Sequence, residues 1–270
     1  MRTRVAAARE WSGNGVAAIR RGAVREAREY FRKASSQLPQ DQEIVANVAR
    51  THFQAGEVDQ AIEVMRRAVD IADNDPKLLV QLGEYYLASG RRIEAQKAVE
   101  ESLEQNHRLA SAWLLKGKIR LANNDHQAAL GDFQKSLGID PSSQDAQLQI
   151  IQTYRTIGDP LRALSAVEQL LEEYPIDQQP ELAILEKSAA LVHLQQNESA
   201  IEVLTRASQR RDISSEVFTA LAQIQVQSGR KTKAAQTLQL AQERFPNQPH
   251  IGQFISEIRS DEVPKVASRQ

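Results

Sequence analysis

Apolar side chains recur along this chain at i, i+3, i+4 and i+7, the spacing that lines one face of an α-helix. The pattern itself repeats. Gly22, Gly56 and Gly90 stand 34 residues apart, Asn124 and Gly158 take the next two places, and Gly229 continues the series after a shift of three. Alanines keep the same phase seven times, at Ala27, Ala61, Ala95, Ala129, Ala163, Ala200 and Ala234. Four residues after each comes a large apolar residue: Phe31, Met65, Val99, Phe133, Val167, Leu204, Leu238. Seven residues after it the side chain is small (Ala34, Ala68, Ser102, Ser136, Ala207, Ala241), with Leu170 the exception. Each unit predicts two amphipathic helices. The glycine ends the first, where the chain needs a left-handed residue. Prolines such as Pro39, Pro141, Pro175 and Pro246 lie beyond the second and stop it.

One hairpin cannot bury its apolar face alone, whereas stacked hairpins share a seam. Hairpins are expected over about 8–41, 42–75, 76–109, 110–143, 144–180, 181–214 and 215–248. A capping helix over 249–260 closes this single solenoid of residues 8–260, with tails at 1–7 and 261–270. The fifth unit is three residues over period around Ile176–Pro180, which predicts a longer loop. Asn124 tolerates the left-handed conformation. Gln195 is a poor substitute for glycine there, so its turn is expected to be reshaped. Gly13, Asn14 and Gly15 in the first helix cost about 2–3 kcal/mol relative to alanine, so that helix is expected either to be loose or to be supported by something upstream or by a partner.

The motif residues resemble the tetratricopeptide repeat family. Trp113, Gly117, Ala129, Phe133 and Pro141 carry the signature in the fourth unit; Leu82, Gly83, Tyr86 and Ala95 carry it in the third. The first has Trp11, Gly15, Ala27, Phe31, Ala34 and Pro39. The resemblance covers about residues 8–248 and implies an all-α, right-handed superhelical solenoid. Ankyrin repeats would show a Thr-Pro-Leu-His signal, and HEAT or armadillo repeats run longer.

Composition then narrows the chemistry. The 34 basic and 35 acidic residues leave a formal charge of −1. That balance argues against nucleic acid, and against an RNA-reading helical repeat in particular. There is no cysteine. The five histidines (His52, His107, His126, His193, His250) form no i, i+4 metal pair. Glu100-Glu101 and Glu172-Glu173 are helix neighbours that point apart, so neither is an acid/base dyad. No phosphate loop or nucleophile elbow occurs. The reading is of a non-enzymatic protein with no cofactor and no metal. No stretch is long and apolar enough for a membrane helix, and the start has no secretory h-region. The chain is read as cytoplasmic as given, or periplasmic if a leader has been removed.

In the resembled family the first helix of each hairpin lines a concave groove that binds a protein or peptide. Carried over by register, the candidate partner-binding residues are Asn47, Arg50, Phe53, Lys77, Glu84, Lys118, Arg155 and His193, with Leu87, Leu121, Gln152 and Val192 beside them. Some family members clamp the C-terminal carboxylate of heat-shock chaperones with two Lys, two Asn and an Arg. The matching places here are Ser12, Val16, Asn47, Lys77 and Gln81, of which only Asn47 and Lys77 agree, so no chaperone tail is expected. The function read is an adaptor or scaffold. The alternative is the repeat portion of a longer protein, in an envelope or polysaccharide-export assembly or as the arm of an enzyme.

Overall fold

The computed structural model describes residues 2–260; the tail expected at 261–270 lies outside them. Fifteen α-helices form among the described residues, with no strand. They pair as α1 (Arg2–Arg20) with α2 (Val24–Gln37), α3 (Gln42–Gln54) with α4 (Val58–Ile71), and α5 (Pro76–Ala88) with α6 (Arg92–Gln105). Next come α7 (Ala110–Ala122) with α8 (His126–Ile139) and α9 (Gln144–Thr156) with α10 (Pro160–Glu172). The last are α11 (Glu181–His193) with α12 (Asn197–Ser208), α13 (Ser215–Gln227) with α14 (Lys231–Arg244), and α15 (Pro249–Ser260). The all-α class read from the sequence is the one observed.

The hairpin turns share one construction. At Gly56 (φ 79°) the N–H donates to the Phe53 carbonyl, and the next N–H, of Glu57, donates to that of His52, each at 3.0 Å. Asn124 follows it at φ 61°. So does Gln195, also at φ 61°, with its N–H on Val192 and that of Gln196 on Leu191, both at 2.9 Å. The reshaped turn expected there does not occur. Two backbone hydrogen bonds and the packed helices on either side hold Gln195 in a conformation that disfavours a β-carbon by about 1–2 kcal/mol.

Inside each hairpin the phased residues meet. Ala27, Ala61, Ala95, Ala129, Ala163, Ala200 and Ala234 are fully buried, as are Phe31, Met65, Val99, Phe133, Val167, Leu204 and Leu238. Each of the larger side chains contributes about 1.5–3 kcal/mol by leaving water. Two of the small residues do more than make room. Ser102 Oγ donates to the carbonyl of Pro76 at 2.8 Å and Ser136 Oγ to that of Ala110 at 2.9 Å. Each satisfies a backbone oxygen in the opening turn of the partner helix.

The first helix is continuous from Arg2, so residues 2–7, expected as a tail, are its opening turns. Gly15 is buried, and a β-carbon there would sit 2.7 Å from the Phe31 ring. Gly117 against Phe133 is tighter still, at 2.3 Å. The glycine that weakens α1 by propensity is what lets α2 approach it.

By contacts the chain divides into two compact units, one up to Ala146 and one from Gln147 onward. In the second, Ile251, Ile255 and Ile258 of α15 are buried in the same apolar cluster as Leu238 and Ala241 of α14. The three-residue excess forms a 3₁₀ turn, Ile176–Gln178, beside a cavity of about 660 Å³ floored by Leu171, Ile184 and Ala207. Ion pairs tie successive hairpins at one repeated place in both units, Arg91 to Asp59 and Arg230 to Glu198.

Candidate partner-binding face

Within each unit the first helices touch one another, α1 with α3, α5 with α7, and α11 with α13, more closely than the second helices do. The first-helix side is therefore the tighter, inner side of each unit. Side chains three and four residues apart share a helix face. That places Arg50 beside Asn47 and Phe53, and Glu84 beside Gln81 and Ala88.

In the first unit, Asn47 is buried and accepts a hydrogen bond from Arg50 at 3.0 Å. Arg50 reaches across to Gln81 of α5 at 3.5 Å. Phe53 is half-buried and stacks on Tyr85, with ring centroids 4.4 Å apart and 12° between planes. Burial pushes the Tyr85 hydroxyl up to about 12. Glu84 stands next to it, open to water but walled by protein. Desolvation raises its pKa above the usual carboxylate value, Lys118 pulls it back, Asp145 raises it again and Arg50 lowers it. Among the described residues, neither Glu84 nor Lys118 makes a hydrogen bond or an ion pair with its side chain. Lys77 is exposed in the first turn of α5, where its backbone N–H is capped by Asp75 at 2.9 Å.

The second unit is arranged differently. Arg155 Nε donates to Glu186 at 2.9 Å, and Gln152 donates to the other oxygen of the same carboxylate at 3.1 Å. Glu186 is only 6% exposed. Arg155, read from register as a groove residue, is thus engaged in closing a buried charge. His193 is exposed in the last turn of α11. Of the sequence candidates, Asn47, Arg50, Phe53 and Glu84 come together around Gln81 and Tyr85, with Lys118 within electrostatic reach of Glu84; Arg155 and His193 belong to the other unit.

Three functional-looking groups escaped the sequence reading. Glu186 had a partial signal: its repeat position carries Asn47, Gln81 and Gln149 in three other hairpins, but Leu115 and Ala220 in two more. Asp145 had none, being one exposed acid at a helix start. Asp132 is 1% exposed at a place that holds Val64, Ala98 and Ala166 in other hairpins. Arg120 lies 2.9 Å from it, yet neither carboxylate oxygen receives a well-directed hydrogen bond; Arg120 instead points a donor at the Ala128 carbonyl, 3.1 Å away. Burial raises the Asp132 pKa, and Arg120, Lys116 and Lys135 lower it. Those two lysines also lie over the Trp113 ring, at 5.2 and 4.2 Å from its centroid. Among the described residues no group of three acidic or histidine side chains is placed to hold a metal ion, and no helix is long and apolar enough to cross a membrane.

Comparison with known proteins places this geometry. Two family models described as tetratricopeptide repeat match, one over residues 18–79 and 191–258 and the other over 80–144. A tetratricopeptide repeat protein from Parabacteroides merdae superposes with a TM-score of 0.67 at 15% identity, over 94% of this chain and 99% of that one. The pilF protein of Pseudomonas aeruginosa gives 0.61 at 13% identity, over 80% and 97%. A chain of the Cut9–Hcn1 hetero-tetramer of the APC/C gives 0.56 at 19% identity, over 93% of this chain and 42% of that one. At these identities the likeness is one of fold. No curated protein matches the sequence.

Proposed function

The chain belongs to the tetratricopeptide repeat family, and we propose that it is a non-catalytic adaptor that holds a segment of a partner protein on the first-helix face of its first unit. Tetratricopeptide repeats generally mediate protein–protein interactions. One observation carries the choice of face: Glu84 stands beside the stacked Phe53 and Tyr85, within electrostatic reach of Lys118 but with no hydrogen bond or close ion pair. A charged group that the protein partly shields from water, with no hydrogen bond or close counter-ion, lowers the stability of the fold that carries it. Aromatic surface next to such groups is what protein interfaces are enriched in. The second unit offers less, because its buried charge is already paired.

The test is photo-crosslinking in the source cell. Ala88 is exposed on α5, four residues from Glu84 and on the same helix face. Lys97 is exposed on α6, on the other side of the hairpin. A photoreactive residue at 88 is expected to capture a discrete partner that the same residue at 97 does not. Equal capture at both places, or none at 88, sinks the assignment.

A further inference from the structure

The charges on this face follow an order. Arg50, Glu84 and Lys118 occupy one repeat position, 34 residues apart, on three successive first helices. The signs run plus, minus, plus. Arg50 is hydrogen-bonded to Asn47 and Gln81, whereas Glu84 and Lys118 make no side-chain hydrogen bond or close ion pair and act on each other only at longer electrostatic range. Asp145 lies within electrostatic reach of Glu84 and deepens the negative character there. A uniformly acidic segment would meet Glu84 and Asp145, and a uniformly basic one would meet Arg50 and Lys118. Charge interactions in a walled site are less screened than on open surface, so like-charge contacts there are strongly selected against.

We propose that the first-unit face selects a partner segment of mixed charge, with a basic side chain set against Glu84 and an acidic one against Lys118, and an apolar or aromatic side chain beside Phe53. This rests on the reading of that face as the partner site. It adds a rule for what binds: neither a chaperone-type acidic tail nor a basic nucleic-acid-like segment, but a segment that alternates sign from one hairpin to the next.

The experiment uses the full chain and a displayed library of random twelve-residue peptides. Retained peptides are resynthesised with a fluorophore, and their affinities are read by fluorescence polarisation. Each is also crosslinked to the chain carrying a photoreactive residue at 88. Peptides carrying both a basic and an acidic residue are expected to be enriched. Glu84→Lys should weaken them about tenfold, and changing the peptide's basic residue to Glu should recover the loss on that variant. Lys118→Glu should do the same with respect to the peptide's acidic residue. Glu84→Gln, which removes the charge without reversing it, guards against misfolding and should give an intermediate loss. Peptides that crosslink at 88 but are indifferent to all three variants overturn the charge rule and leave the face standing. Peptides that never crosslink at 88, or a library that yields none, overturn both.

Discussion

In the first unit the repeat position of Arg50, Glu84 and Lys118 is charged, and two of the three side chains have no hydrogen bond or close ion pair. In the second unit the same position carries Gln152, Ala189 and Gln223, and the neighbouring buried charge, Glu186, is closed by Arg155 and Gln152. The two halves share a hairpin but not a use of it. Where polar groups find each other inside the fold they fix the stacking of one helix on the next. Where they do not, they lower stability and wait for a ligand, which is why perturbed, unpaired charges mark sites.

The strongest way to break this contrast is at Arg155. Arg155→Ala strands a buried carboxylate and should lower the stability of the second unit by about 3 kcal/mol. Lys118→Ala, in the first, should change stability by no more than about 0.5 kcal/mol. Urea unfolding of the two variants decides it; equal losses would mean that Lys118 is as structural as Arg155. Next in size is the packing beneath the face. The position of Gly15, Gly83 and Gly117 is taken by Ile151, Ser188 and Ala222 in the second unit. Gly117→Ala must displace the Phe133 ring and should cost about 2 kcal/mol. Gly131→Ala, with open space around it, should gain up to about 1 kcal/mol from helix propensity. A neutral result at Gly117 would show that the first unit is packed no more tightly there than a unit that accommodates Ile151.

A smaller effect lies in the turns. Gln195→Gly in the second unit should raise stability by about 1 kcal/mol, because glycine relieves the left-handed backbone but loses more entropy on folding. Asn124→Gly in the first should gain only a few tenths, and thermal melting compares them. Smallest is Glu84→Gln. Burial raises the Glu84 pKa, so the folded chain holds that proton more tightly than the unfolded chain does. The resulting penalty is absent below the ordinary carboxylate pKa of about 4.3, sets in as pH rises through the folded value, and is full above it. Glu84→Gln should therefore be slightly more stable than the parent at neutral pH and no more stable at low pH, by melts across that range. A loss of stability at pH 7 would show that Glu84 has a partner in the fold after all.

Much of the architecture was legible before any coordinates. Seven alanines in one phase, the glycine or asparagine at six of the seven turns and the proline after several of the second helices each follow from backbone and packing rules that act over a few residues. Two places turned instead on the fold around them. Gln195 takes the turn conformation because the hairpin around it imposes that geometry. Gly15 sits in a continuous α1, where Phe31, sixteen residues on, fills the space that a side chain would have taken.

The candidate face divides along the same line. Register alone brought out Asn47, Arg50, Phe53, Glu84 and Lys118, since equivalent residues of successive helices share a face. It could not separate Arg50 from Arg155, two arginines on first helices. Arg155 closes on a carboxylate 31 residues away, past the extra loop, whereas Lys118 forms no ion pair and only lies within electrostatic reach of Glu84. The sequence by itself determined the period, the helices, their caps and the apolar seam, because these rest on local sterics and on burial, which are additive along the chain. Only the tertiary structure decided which charges are paired and which are left open, because Coulomb attraction and desolvation depend on distance through space and not on position in the repeat.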